Sequence, residues 1–179
     1  MNNYGKLYLI PTPLGDNALH TIPPYVRAIV HRLEYLVAER AKTARHFIRA
    51  AGTIRPIADY HISELNDRTP RSDLDEMLRP LLEGFDVGIV SEAGCPGVAD
   101  PGAGLVALAH RKGIKVVPLV GPSSILLAMM ASGLNGQNFC FHGYLPAKAY
   151  ELGNALKKLE QKARRENQTQ LFIEAPYRN

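Results

Sequence analysis

Val87-Gly88-Ile89-Val90-Ser91-Glu92-Ala93-Gly94-Cys95-Pro96-Gly97-Val98-Ala99-Asp100-Pro101-Gly102 opens on an unbroken apolar run and then breaks into Pro, Gly and small residues. Its first four residues read as a buried strand. Leu105 to Lys112, closed by Gly113, reads as a helix, and Ile114 to Leu119 as the next strand. Strand, helix and strand in that order predict a βαβ unit in a mainly parallel sheet. The alternation extends upstream. Leu7 to Ile10 predicts a strand stopped by Pro11 and Pro13, and Tyr35 to Val37 a second strand. A helix follows from Ala41 to Ala51, then a strand over Pro56 to Tyr60 and a helix over Arg71 to Leu82 with Leu74, Met77, Leu78, Leu81 and Leu82 on one face. Downstream, a second cycle starts after Gly121-Pro122. Ser123 to Ser132 predicts a helix, Phe139 to Phe141 a strand, Ala149 to Arg165 a charged helix and Leu171 to Ile173 a strand. The expected partition is an N-terminal α/β domain over residues 1–119 and a partial C-terminal α/β domain over 120–179.

The apolar share of 46% and charged share of 21% over 179 residues exclude a disordered chain. Two cysteines, Cys95 and Cys140, cannot frame a disulfide scaffold, which points to a reducing, cytoplasmic setting. No apolar run approaches the ~20 residues of a spanning helix, so no membrane is expected. The net charge of +4 is mild. Its cations gather in two groups, Arg40, Lys42, Arg45 and Arg49, then Lys157, Lys158, Lys162, Arg164 and Arg165. Each group reads either as a solvated helix face or as a phosphate-binding surface.

Ligands of parallel sheets collect at the carboxyl ends of strands. Three loops there are rich in Pro and Gly: Pro11 to Gly15, Ser91 to Gly102, and Gly121 to Ser124. The middle one, at twelve residues, exceeds what a turn needs. Gly102-Ala103-Gly104-Leu105-Val106-Ala107 matches the G-x-G-x-x-A of dinucleotide folds, and an NAD-binding oxidoreductase follows from it as a remote alternative. The glycines stand well beyond the strand end, and no acid lies between Asp100 and Glu151 to bind a ribose. No P-loop, G-x-S-x-G elbow or H-E-x-x-H pair occurs, and the six histidines lack ligand spacing, so no metal site is expected.

Val90-Ser91-Glu92-Ala93-Gly94-Cys95-Pro96 and Ala99-Asp100-Pro101-Gly102 resemble the S-[DE]-A-G-x-P-x-x-x-D-P-G signature of the tetrapyrrole methylase superfamily, in its ribosomal small-subunit methyltransferase I branch. Leu7 to Gly15 is similar to the first strand and T-P-[IL]-G loop of that branch. Val116 to Ser124 resembles V-V-P-L-P-G-P-S-A, and Ala131-Ser132-Gly133-Leu134 matches the following helix end. Phe141-His142-Gly143-Tyr144-Leu145-Pro146 resembles F-x-G-[FY]-L-P, and Glu174-Ala175-Pro176-Tyr177-Arg178 resembles E-[ST]-P-[HY]-R.

The resemblance implies an S-adenosylmethionine-dependent methyltransferase of two α/β domains, with its cofactor in the cleft between them and a homodimer as the assembly. It implies methyl transfer to a ribose 2′-hydroxyl of 16S rRNA. Pro13, Leu14, Gly94, Cys95, Pro96, Val98, Ser123 and Ser124 would then bind cofactor. A ribose hydroxyl needs a base, for which Glu39 and Glu92 are both candidates, each equally open to a capping or ion-pair role. Lys42, Arg45, Arg49 and Asn66 are the expected RNA contacts.

The departures fall on the substrate side. The family's E-D-T-R stands here as Glu39-Arg40-Ala41-Lys42, and its H-x-H-N as Ser63-Glu64-Leu65-Asn66. Relatives also continue past E-x-P-x-R. The second domain as given has two apolar strands with open edges, so the chain is read as truncated or a fragment. A small, corrin-like acceptor and a cofactor-binding protein without activity are the alternatives.

Overall fold

The computed structural model describes residues 3–175. They fall into two compact units that divide between Ser123 and Ser124, against an expected boundary at 119/120. The first is an α/β unit built on β1 (Lys6–Ile10), β2 (Tyr35–Ala38), β3 (His61–Glu64), β4 (Val87–Val90) and β5 (Lys115–Pro118). All pairs are parallel, in the order β3-β2-β4-β1-β5, with Leu9 opposite both Ile89 and Pro118. The chain walks outward from β1 to β3, returns through β4 and crosses β1 to β5. Parallel strands buried on both faces need helices on both sides. One face packs Tyr8, Ile10 and Leu36 against Val26 and Val30 of α1 (Pro24–Arg32) and Ala44, Phe47 and Ile48 of α2 (Ala41–Ala50). The other packs Leu7, Val37, Val87 and Ile89 against Leu78 and Leu81 of α3 (Asp73–Leu82) and Leu105 and Ala109 of α4 (Ala103–Arg111). Leu7 and Tyr8 point to opposite cores, as the two-residue period of a strand requires.

The third strand is displaced from its expected place. Pro56 to Tyr60 forms a 3-10 turn over Ile57–Asp59, and β3 begins at His61. Pro56 has no N–H to give a ladder, and its carbonyl instead accepts from Asp59 N at 3.0 Å. Tyr60 is still buried, so the apolar signal there reported a core contact made by a turn. The strand itself sits at the sheet edge and is largely exposed, which leaves His61-Ile62-Ser63-Glu64 without an alternating apolar pattern. Helix α1 lies outside the sequence expectation altogether. Pro24 stands in its first turn, where a missing N–H costs nothing.

The second unit holds α5 (Ser124–Ser132), β6 (Phe139–Tyr144), α6 (Ala149–Glu166) and β7 (Thr169–Ile173). β6 and β7 are parallel, with Phe139 opposite Thr169. Asn167, in the left-handed region, terminates α6. In the second cationic group, Arg164 pairs with Glu160 and Arg165 with Glu166, both at 2.6 Å. The expected E-x-P-x-R element runs from Glu174 to Arg178, and its Pro176, Tyr177 and Arg178 lie outside the described residues.

Candidate cofactor and acceptor site

The crossing from β4 to β5 leaves β1 flanked by both, so the loops leaving these three strands emerge side by side. Buried hydrogen bonds join them. Thr12 N donates to Gly94 O at 2.9 Å, and Gly94 N returns a bond to Thr12 O at 3.1 Å. Ser91 Oγ donates to Gly94 O at 2.6 Å, and Thr12 Oγ1 donates to Ser91 O at 3.2 Å. Both hydroxyls are buried, and each has its partner, as buried polar groups require. Cys95 Sγ donates to Pro122 O at 3.5 Å, and burial pushes the Cys95 thiol up, which keeps it a donor. A side chain at Gly121 would run into the Pro11 ring, 2.2 Å from its Cγ. Pro13, Leu14, Gly94, Cys95, Pro96 and Val98 therefore share one end of the sheet. Ser123 closes the first unit and Ser124 opens α5 of the second.

Two glycines shape the middle loop. Gly94 and Gly97 hold φ of +78° and +77°, a region that costs an L side chain dearly. A Cβ at Gly94 would sit 3.2 Å from Leu14 Cδ2 and 3.5 Å from Pro122 O, whereas one at Gly97 would meet nothing within 4 Å. The backbone at Gly97 thus faces open space. A loop of this form presents main-chain groups to a ligand, and its conformation fits the cofactor implied by the resemblance.

Glu39 follows β2, and Glu92 follows β4. Sequence reasoning missed the third carboxylate beside them. Asp100 Oδ2 is buried without a hydrogen-bond partner. Its pKa is raised from 3.8 to about 6, first by burial and then by the charges of Glu39 and Glu92. The D-P-G tripeptide carried the signal, since an acid fixed between Ala99, itself at φ +55°, and Pro101 has little freedom to reach water. An acid raised in the folded state holds its proton more tightly there, so its contribution is intact below the unfolded pKa near 4. Stability is lost as pH climbs toward 6. Asp100→Asn should therefore stabilise the fold by about 1 kcal/mol near pH 7.5, after allowance for a half-buried group, and change little near pH 4. Denaturant midpoints at the two pH values check this.

The residues expected to contact RNA sit around α2 and the end of β3. Lys42, Arg45 and Arg49 are exposed on α2, and among the described residues none pairs with a carboxylate. Asn66 is engaged locally: its Oδ1 accepts from Arg68 N at 3.0 Å, and its N donates to Thr69 Oγ1 at 2.9 Å. It lines a polar hollow of about 350 Å³ with Glu39, Arg40, Glu64, Asp67 and Arg68. Glu64 serves the start of α2, where the chain departs from the family pattern. Arg40 caps α2 without any side-chain bond, and Glu64 Oε1 accepts from Ala41 N at 2.8 Å from the neighbouring strand. Glu64→Ala should cost about 1 kcal/mol, the usual loss of a helix cap. Glu64→Gln should retain most of it, read as a smaller shift in the urea midpoint.

Among the described residues, no group of three His, Cys, Asp or Glu could hold a metal. No helix there is long and apolar enough to cross a membrane. The helix that carries the G-x-G-x-x-A match begins at Ala103, well past the end of β4 at Val90.

No model of a known protein family matches the chain. The Escherichia coli O157:H7 protein named ribosomal RNA small subunit methyltransferase I is 32% identical over 177 residues, which are 99% of this chain and 58% of that protein. This chain thus spans little more than half the length of that relative. The Thermotoga maritima protein of the same name is 31% identical over 174 residues, 97% of this chain and 73% of its own. Among solved structures, the methyltransferase CobJ matches with a TM-score of 0.63 at 21% identity, over 94% of this chain and 67% of that one, a likeness of fold. By these relatives, and by the order of loops at the sheet end, the chain belongs to the ribosomal RNA small subunit methyltransferase I family.

Proposed function

We propose that this chain is an S-adenosylmethionine-dependent methyltransferase acting on a ribose 2′-hydroxyl of ribosomal RNA. The observation that carries the reading is the junction of three strand-end loops at Thr12, Gly94 and Pro122. Pro13, Leu14, Gly94, Cys95, Pro96, Val98, Ser123 and Ser124 hold the cofactor, and the glycine-shaped loop brings main-chain groups to it. Bound there, the cofactor supplies an electrophilic methyl on a sulfonium. The chain supplies orientation and exclusion of water.

The acceptor hydroxyl must lose a proton. Glu39 and Glu92 follow the carboxyl ends of β2 and β4, and their charges add to burial in raising the pKa of Asp100. Lys42, Arg45 and Arg49 hold RNA phosphates, with Asn66 at the far side of the polar hollow. Such a protein works in the cytoplasm. The exposed Leu126, Leu127 and Met130 of α5 give the second unit an apolar surface that suits a homodimer.

Transfer of labelled methyl from S-adenosylmethionine to isolated small ribosomal subunits tests the reading, with a total small-metabolite pool as the comparison. Label in the rRNA supports it. Label only in the metabolite pool moves the acceptor to a small molecule, and cofactor binding without transfer to either leaves a binding protein.

A further inference from the structure

A second hollow, of about 530 Å³, opens on the α1/α2 side of the sheet between the β1 loop and α2. Its size falls in the range of small-ligand sites, roughly 300–1,000 Å³. Leu14, Leu19 and the buried Phe47 make its apolar surfaces, and Thr43, His46 and Glu92 its polar ones. The sequence marked Pro13, Leu14 and Glu92 for other roles, found no ligand spacing at His46 and did not mark Thr43.

We propose that this hollow receives one nucleotide of a single-stranded RNA segment, the base and ribose inside and the flanking phosphates outside along α2. The proposal rests on the methyl-transfer reading and names where the acceptor sits. Three observations on the same helix and loop support it. At about 100° per residue, Thr43, His46 and Ala50 fall on one flank of α2 and Lys42, Arg45 and Arg49 on the next. The unpaired cations therefore run along the rim of the hollow. Inside, Glu92 and Asp16 disfavour a phosphate but accept from a ribose hydroxyl or a base amino group. This charge pattern fixes the orientation of a bound nucleotide.

Leu14 supplies the third observation. It lines the hollow and also abuts the position a Cβ on Gly94 would take, 3.2 Å away. Leu14 thus touches both, and Glu92 and Ala93 of the same loop also line the hollow, so hollow and glycine-shaped loop adjoin. Group transfer needs its two partners in adjoining sites, and the hollow meets that need within the first unit. A base splayed from a single strand stacks on aromatic or imidazole planes, and His46 is exposed at the opening.

The test is the 179-residue chain with Ala50→Trp, which fills the hollow from an exposed helix position, and with His46→Ala as the milder variant. Circular dichroism melting establishes that each is folded. S-Adenosylhomocysteine affinity comes from calorimetry, and RNA affinity from anisotropy of a fluorescein-labelled, random-sequence single-stranded RNA. The expected result is RNA affinity roughly tenfold lower for Ala50→Trp. Its salt slope and its S-adenosylhomocysteine affinity should match the parent, and His46→Ala should shift in the same direction by less. Parent-like RNA affinity in both folded variants overturns the proposal and leaves the methyltransferase reading standing. Loss of S-adenosylhomocysteine binding in Ala50→Trp also overturns it, because the hollow is then the cofactor's own. A parent chain that binds S-adenosylhomocysteine and no RNA removes the RNA reading, and this assignment with it.

Discussion

Substituting Val for Gly94 is expected to lower affinity for S-adenosylhomocysteine by roughly a hundredfold while the chain stays folded. Gly94 holds φ +78°, and a side chain there points at Leu14 Cδ2 and Pro122 O. A β-branched residue must either push these neighbours apart or rotate the backbone out of its bonds with Thr12. Each route displaces main-chain groups that would face the cofactor, and one or two buried groups left unpaired cost on the order of 3 kcal/mol. Backbone strain adds about 1–3 kcal/mol to the folding cost, which a domain of ordinary stability survives. Gly113→Val is the control, because Gly113 shares a positive φ, +72°, with nothing within 4 Å of its would-be Cβ. Calorimetric titration should show the control binding like the parent. Unchanged affinity in folded Gly94→Val would sink the assignment of this loop to the cofactor.

Replacing Lys42, Arg45 and Arg49 together with Gln should weaken RNA binding at low salt by about two orders of magnitude and flatten its salt dependence. Each lost phosphate contact on a single strand removes roughly 0.7 from the slope of log affinity against log salt. The matched change on α6, Arg164→Gln with Arg165→Gln, should do little, because those guanidiniums already sit on Glu160 and Glu166. S-Adenosylhomocysteine affinity should be unchanged in both. If the triple variant binds RNA like the parent at every salt concentration, these cations are a solvated helix face.

The two groups of cations look alike in the sequence. They differ in what surrounds them, since acids stand within helical reach on α6 and, among the described residues, none pairs with Lys42, Arg45 or Arg49 of α2. Spacing along one helix exposes the first fact, whereas the second depends on which strand ends face α2. Glu64 makes the same point. Its reach to Ala41 N spans 23 positions in the chain and becomes visible only when β2 and β3 lie side by side. The Asp and Thr of the family pattern are absent here, and the free N–H of Ala41 is met by Glu64 from the neighbouring strand.

Strand order β3-β2-β4-β1-β5 was beyond the reach of the sequence, although the strands themselves were mostly legible. Val87 to Val90 and Leu7 to Ile10 are buried on both faces, so their apolar runs had no competing explanation. Edge strand β3 faces water along most of its length and carried no such run, while Tyr60 beside it did. Burial and strand geometry are separate facts, and only central strands couple them. Helix α1 had no place among the expected elements, and Pro23 and Pro24 mark its start.

By itself the sequence determined the βαβ alternation, the three glycine- and proline-rich loops and the membership they imply, because these are local: residue type sets backbone freedom and burial period. Tertiary structure decided that the loops join at Gly94, that Asp100 lies half-buried near the charges of Glu39 and Glu92, and that α2 sets a hollow against a row of cations. Each of these depends on distances between residues far apart in the chain. Such distances follow from strand order and from which helix covers which face, and packing sets both.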